Sequence, residues 1–217
     1  DSAGVALLDG GSFSVYKKKG KVAELKNFVK TKSIGGVLGI AHTRWATHGA
    51  PSDKNAHPQV SNSGSVAIVH NGIIENYLSI KQFLLKKGYK FKSDTDTEIL
   101  ANLIEEIKKS AKVSIDEAVR MALLEVKGAY AILVISRDEP DTIVVAKVGS
   151  PVVIGLGGTK GSTDNLPEFF IASDATPIIE YTDKVIYLED MEMGIIREGK
   201  LVVKTIQNKI KSPYIQK

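Results

Sequence analysis

The spacing of apolar positions changes along the chain, and each change marks an element. Short β-compatible runs at Ser2–Asp9 and Ser12–Lys17 flank Gly10-Gly11, which predicts a hairpin. Helical spacing follows at Val22, Leu25, Phe28 and Val29, and Gly35-Gly36 breaks it. Val37–His42 reads as a strand running into a polar loop, and Ser65–His70 as a strand ended by Asn71-Gly72. Helices come next. One carries Ile80, Phe83 and Leu84 and stops at Gly88. Thr95 with Glu98 makes a capping-box pattern ahead of Ile99, Leu100, Leu103, Ile104 and Ile107. Ser114 with Glu117 repeats it ahead of Val119, Ala122, Leu123 and Val126, and Gly128 is placed as the closing residue.

From Ala129 the pattern is β. Strands are expected at Ala129–Ser136, Thr142–Val148, Val152–Leu156, Phe169–Ser173, Lys184–Leu188, Met193–Arg197 and Leu201–Ile206. Turn signals at Glu139-Pro140-Asp141 and Glu198-Gly199 make their connections antiparallel hairpins. The polar loop 157–168 reads as mobile. Helices grouped between two β-rich regions, instead of alternating with strands, predict an α+β fold with antiparallel sheets. No internal repeat and no convincing linker divides the chain.

Composition narrows the class. With 43% hydrophobic and 25% charged residues over 217 positions, the chain has the make-up of a globular domain. The longest apolar run, Ala129–Ile135, is too short for a bilayer span, and no membrane association is expected. No charged-then-apolar leader argues for secretion, and a cytoplasmic setting fits. Asp1 stands first, which reads as a fragment, a processed chain or a trimmed one. The absence of cysteine rules out disulfides and thiolate zinc sites within these residues. The net charge of +4 gathers partly in Lys17, Lys18, Lys19, Lys21, Lys26, Lys30 and Lys32. No aromatic interleaving or binding motif accompanies them, so they read as a solvated face and no nucleic-acid partner is expected.

Candidate chemistry sits in polar stretches at element ends. His42-Thr43-Arg44-Trp45-Ala46-Thr47-His48-Gly49 leaves a strand end, where an arginine fork can clamp a carboxylate and Thr47 and His48 can add donors. A loop held by its own hydrogen bonds explains the same residues. Asn71-Gly72 is first a turn signal. Chemically, a side-chain amide beside a bare backbone N–H offers two donors converging on one point, as an oxyanion hole requires. In Ser93–Glu98, capping accounts for Thr95 and Glu98 but not for Asp94 and Asp96, which leaves a carboxylate for a ligand ammonium group. The glycines of 155–162 lack Walker spacing and any Gly-x-Gly-x-x-Gly entry to a helix. His42, His48, His57 and His70 show no helical i, i+4 pair and no His-Glu-x-x-His, so neither a metal nor a cofactor is expected.

Taken together, Asp1–Gly4, His42–Gly49, Asn55-Ala56-His57-Pro58, His70–Asn76, Ser93–Glu98, Gly128-Ala129-Tyr130, Gly149-Ser150-Pro151 and Ala172-Ser173-Asp174 resemble the class II glutamine amidotransferases. The wording of His42–His48 and His70–Asn76 is closest to the branch that makes glucosamine 6-phosphate from fructose 6-phosphate. The resemblance implies an N-terminal-nucleophile (Ntn) hydrolase fold, a four-layer α/β/β/α sandwich with antiparallel sheets. It implies that L-glutamine is hydrolysed to glutamate and ammonia, and that the ammonia passes to a sugar isomerase domain of the same polypeptide, in a homo-oligomer.

The implied roles are specific. Arg44, Thr47 and His48 would hold the α-carboxylate of glutamine, and Asp96 its α-ammonium. The Asn71 side chain and the Gly72 N–H would stabilise the oxyanion, and Trp45 would sit on the loop near the ammonia exit. The family nucleophile is a cysteine with a free α-amine, upstream of the position of Asp1, so the 217 residues alone are expected to be inactive. The amidotransferase domain is expected over 1–210 and the start of a linker over 211–217. Two alternatives remain: another class II amidotransferase such as the phosphoribosylamine-forming one, and a non-catalytic glutamine-binding module.

Overall fold

The computed structural model describes residues 1–32, 34–45, 49–157 and 167–216. Strands β1 (Ser2–Asp9) and β2 (Ser12–Lys19) form the expected hairpin. β1 also pairs antiparallel with β3 (Leu38–Arg44), giving a three-stranded sheet in the order β2-β1-β3. The short helix α1 (Val22–Val29) buries none of its residues and rests on the outer face of this sheet, where Phe28 meets Tyr16 edge-on.

The principal sheet has seven antiparallel strands in the order β13-β12-β11-β7-β6-β5-β4. In chain order they are β4 (Gln59–Val60), β5 (Val66–Ile74), β6 (Gly128–Ser136), β7 (Glu139–Val148), β11 (Glu192–Arg197), β12 (Lys200–Thr205) and β13 (Ile210–Lys211). Alternation along β5 sends Val66 and Ile68 to one face and Ala67 and Val69 to the other. The first face is covered by α2 (Tyr77–Lys86), α3 (Asp96–Ala111) and α4 (Ile115–Glu125), which bury Leu84, Leu100, Ile104, Ile115 and Val119 against Ile68, Ile132 and Val144.

The second face meets two pieces of sheet. One is β2-β1-β3, which supplies Ala6, Leu8, Leu38 and Ile40. The other joins β8 (Val153–Leu156), β9 (Phe169–Ala172) and β10 (Val185–Tyr187) in the order β10-β8-β9. The arrangement is the expected α/β/β/α order with antiparallel sheets, its outer helical layer among the described residues being α1. The inner layer opposite the seven-stranded sheet is divided in two, where a single sheet was expected. Gln216 exchanges two backbone hydrogen bonds with Val185 of β10, so contacts to the fold continue beyond β13.

Several local expectations need correction. Asn71-Gly72 is not a turn. β5 runs through it to Ile74, with Asn71 opposite Ala131 and Gly72 opposite Tyr130 of β6. The β6–β7 turn falls at Arg137-Asp138, and Pro140 lies inside β7 just past a register irregularity at Ile135/Ser136. There the ring's missing N–H costs little. The capping box at α3 is half formed. Thr95 accepts from the Glu98 N–H at 3.3 Å, but the Glu98 carboxylate turns to the backbone N–H groups of Lys92 and Ser93. At α4 neither half forms: Ser114 caps no N–H with its side chain, and Glu117 is taken by Arg120. Gly128, with φ of 127°, opens β6 and does not close the helix. The loop expected to be mobile, 157–168, lies largely outside the described residues.

Candidate active site

The ends of β3 and β5 and the start of α3 converge. Between them lies a cavity of about 250 Å³ lined by His42, Thr43, Arg44, Trp45, His57, His70, Asn71, Gly72, Asp96 and Thr97. Five of the residues singled out in the sequence therefore line this one cavity: Arg44, Trp45, Asn71, Gly72 and Asp96. Thr47 and His48 lie outside the described residues.

Each side chain is placed for a physical reason. Arg44 ends β3 and is buried, and one guanidinium nitrogen, Nη2, donates to the Gly49 carbonyl at 3.0 Å. Burial presses its pKa below the ordinary arginine value, and the nearby Asp96 carboxylate opposes that. Asp96 is buried at the first turn of α3, where a negative charge suits the helix dipole. Its Oδ2 accepts the Ile74 N–H at 2.8 Å, which ties the helix start to the end of β5. Thus a cation and an anion, both withdrawn from water, face one small space. That suits the two charges of an amino-acid head group.

Gly72 holds a φ of 122°, and a Cβ there would collide with the carbonyl oxygen of Ala129. Only glycine fits, and its bare backbone lets a ligand approach the N–H. Asn71 is exposed beside it, with Oδ1 against His42 Nε2 at 2.7 Å. Trp45 is 87% exposed at the cavity mouth.

Sequence reasoning missed a histidine cluster lining the same cavity. The rings of His42 and His57 stack with centroids 4.7 Å apart. The Thr97 hydroxyl meets His57 Nε2 at 2.8 Å and His70 Nδ1 at 3.0 Å. Burial pushes His57 well below the usual histidine range, with His42, His70 and Arg44 adding to the shift. The available signal was that His42, His57 and His70 each sit inside a polar motif. Testing them only for metal spacing passed over a hydrogen-bonded role. Among the described residues no group of histidine and carboxylate ligands is arranged to hold a metal.

Two motif residues serve structure instead. Asp94 lies outside the cavity, paired with Lys54 at 2.9 Å and with Asn55. Buried Asn55 in turn holds the Ala50 carbonyl, so the pair clamps the chain at Ala50. Asn76 bridges the Glu125 carbonyl and the Lys127 N–H, pinning the start of α2 beside β6.

The profile of the glutamine amidotransferase domain matches residues 42–149, which span the cavity. The chain belongs to the glutamine amidotransferase family. A glutamine–fructose-6-phosphate aminotransferase (isomerizing) of Bacteroides thetaiotaomicron is 53% identical over 219 residues, covering 100% of this chain and 34% of that protein. The protein of the same name from Chlorobaculum tepidum is 54% identical over 212 residues, covering 96% of this chain and 33% of that protein. This amidotransferase domain thus spans about a third of the length of the curated relatives it matches. Among solved structures, the glutamine phosphoribosylpyrophosphate amidotransferase of B. subtilis superposes with a TM-score of 0.75 at 27% identity, over 96% of this chain and 44% of that one. Another, titled the allosteric regulatory enzyme of purine biosynthesis, gives 0.77 at 28% identity, over 95% and 43%. No helix among the described residues is long and apolar enough to cross a membrane.

Proposed function

We propose that this domain binds L-glutamine in the cavity beside Arg44 and serves its hydrolysis to glutamate and ammonia, within a cytoplasmic enzyme that converts fructose 6-phosphate to glucosamine 6-phosphate. The observation that carries this reading is the placement of opposite charges and paired donors around one small space. Arg44 takes the α-carboxylate, joined by Thr47 and His48, and Asp96 takes the α-ammonium. The side-chain amide then reaches Asn71 and Gly72. As a nucleophile adds to the amide carbon, its oxygen gains negative charge, and the Asn71 amide and the Gly72 N–H stabilise that charge as donors already held in place. The thiolate that the family uses is not among these 217 residues, which include no cysteine. The residues present bind, orient and stabilise. Trp45, exposed at the cavity mouth, would face the route by which ammonia leaves for a sugar isomerase domain of the same polypeptide.

The phosphoribosylamine-forming reading is less favoured, because identity to its solved members is about half that to the aminotransferases. The protein in its full natural length should be supplied with glutamine and either fructose 6-phosphate or phosphoribosyl pyrophosphate. Glucosamine 6-phosphate is the expected product. Phosphoribosylamine instead would move the domain to the other branch, and glutamine binding without ammonia release would make it a binding module.

A further inference from the structure

We propose that His42 is a positioning residue that fixes which way the Asn71 amide faces. The inference rests on the reading of Asn71 as an oxyanion donor, and it adds a residue to which that reading gives no role.

A carboxamide is nearly symmetric in shape but not in chemistry. One end accepts hydrogen bonds and the other donates them. Only the orientation with Nδ2 toward the cavity can stabilise an oxyanion. The reverse orientation puts a lone pair where charge develops. Exposed Asn71 has little packing to choose between them. The 2.7 Å contact of its Oδ1 with His42 Nε2 chooses, provided that the ring carries its proton on Nε2. An amide oxygen only accepts, so the imidazole must donate, which places its proton on Nε2.

The fold holds His42 where this contact is made. It sits in β3 directly opposite Gly4 of β1. A Cβ at Gly4 would collide with the His57 carbonyl oxygen, so glycine there lets the segment around His57 lie close against β1. That approach stacks the His57 ring on His42 at 4.7 Å. His57 is in turn held through Thr97 at 2.8 Å. The chain of contacts runs from the N-terminal turn of α3 through two imidazoles to the amide of Asn71. An ionised His42 would also donate from Nε2, so the orienting contact survives protonation.

The tests use the protein in its full natural length. His42→Phe keeps a ring for the stack and removes the donor. It should lower kcat for glutamine hydrolysis by ~10-fold or more, bounded by the ~10²–10³ expected from losing Asn71 itself. KM for glutamine should stay within about twofold, since ground-state binding does not use the oxyanion donor. His42→Gln places an amide N–H near the position of Nε2 and should recover most of the loss. In an Asn71→Ala background, His42→Phe should cost nothing further. An unchanged kcat in His42→Phe, or an additional loss in the double variant, would overturn the proposal.

A measurement on the unmutated protein guards against misfolded variants. The ¹⁵N shifts of His42 at neutral pH should report the Nε2–H tautomer. A neutral ring protonated at Nδ1 only would mean that Asn71 faces the other way, and would also overturn the proposal. If Asn71→Ala itself leaves kcat intact, the oxyanion reading fails, while the tautomer measurement still decides what His42 holds.

Discussion

The two faces of the seven-stranded sheet use the same strands for different ends. Under α2, α3 and α4 the apolar contact is continuous, from Val66 and Ile68 on β5 through Ile132 and Val134 on β6 to Val144, Ala146 and Met193. On the other face the fully buried contact breaks into two clusters, bridged by half-buried Leu133 and Ile143. One lies under β1 and β3 around Ala67, Val69 and Ile135, and the other under β8 and β10 around Ala131, Val145 and Val203. Near the break, a cavity of about 280 Å³ lies between β3 and β9 and shares His42, Thr43, His70 and Asn71 with the cavity at Arg44. Interrupted packing leaves room for a ligand and for polar groups that a closed core would exclude. The uninterrupted face gives the strands that carry Asn71 and Gly72 a rigid support. Changes on the helical face should therefore act on stability, and changes at the break on chemistry.

A crossed pair of substitutions gives the largest contrast. Asn71→Ala should lower kcat by ~10²–10³ and cost only about 1 kcal/mol of stability, because the residue is exposed and gives up one hydrogen bond, to His42. Leu100→Ala, at a fully buried position on α3, should lower stability by ~2–5 kcal/mol, while the folded fraction keeps its kcat. Steady-state kinetics and thermal melts on both variants decide the matter. A large kinetic effect from Leu100→Ala in fully folded protein would erase the distinction between the faces.

Within the broken face, the charged groups should separate by ligand. Arg44→Lys keeps the charge and loses the planar fork, so KM for glutamine should rise ~10–100-fold, the weight of one or two charge-assisted hydrogen bonds. Asp96→Asn keeps an oxygen to accept the Ile74 N–H and loses the charge. It should raise KM for glutamine ~10-fold and weaken an analogue without the α-amine far less. Equal weakening of both ligands would make Asp96 a structural residue.

How much was legible before the structure follows from which physics is local. Strand and helix cores were readable, because alternation and 3.6-residue spacing survive in each segment alone. Ser2–Asp9 is one such strand. Asn71-Gly72 was misread as a turn because that preference is local, whereas the strand conformation is imposed by Ala131 and Tyr130 lying opposite. The capping boxes were overread for the same reason: Glu98 and Glu117 found better partners in Ser93 and Arg120. Arg44, Asn71 and Asp96 were legible as residues of one cavity because each stands in a distinctive motif. The histidine cluster was not, since β3, β5, α3 and the segment before β4 must pack before the rings meet.

That cluster yields the smallest expected effect, a bend in the pH dependence of stability. Burial holds His57 well below its ordinary value, and it lowers His42 as well, where the hydrogen bond to Asn71 opposes burial and Arg44 adds to it. In the unfolded chain both imidazoles titrate near ~6.5. Below that pH and above their lowered native values, the unfolded chain binds protons that the native one refuses. Stability must then fall as pH falls, by up to ~1.4 kcal/mol per pH unit for each such proton. The melting temperature should begin to drop once pH passes below ~6.5, before carboxylates near ~4 take part. His57→Gln removes one of these protons and should flatten the curve between pH ~6.5 and ~5. Leu100→Ala, with no titrating group changed, should shift the curve down in parallel. An unaltered slope in His57→Gln would show that His57 accepts its proton in the native state, and that the wall of the cavity is wetter than its burial implies.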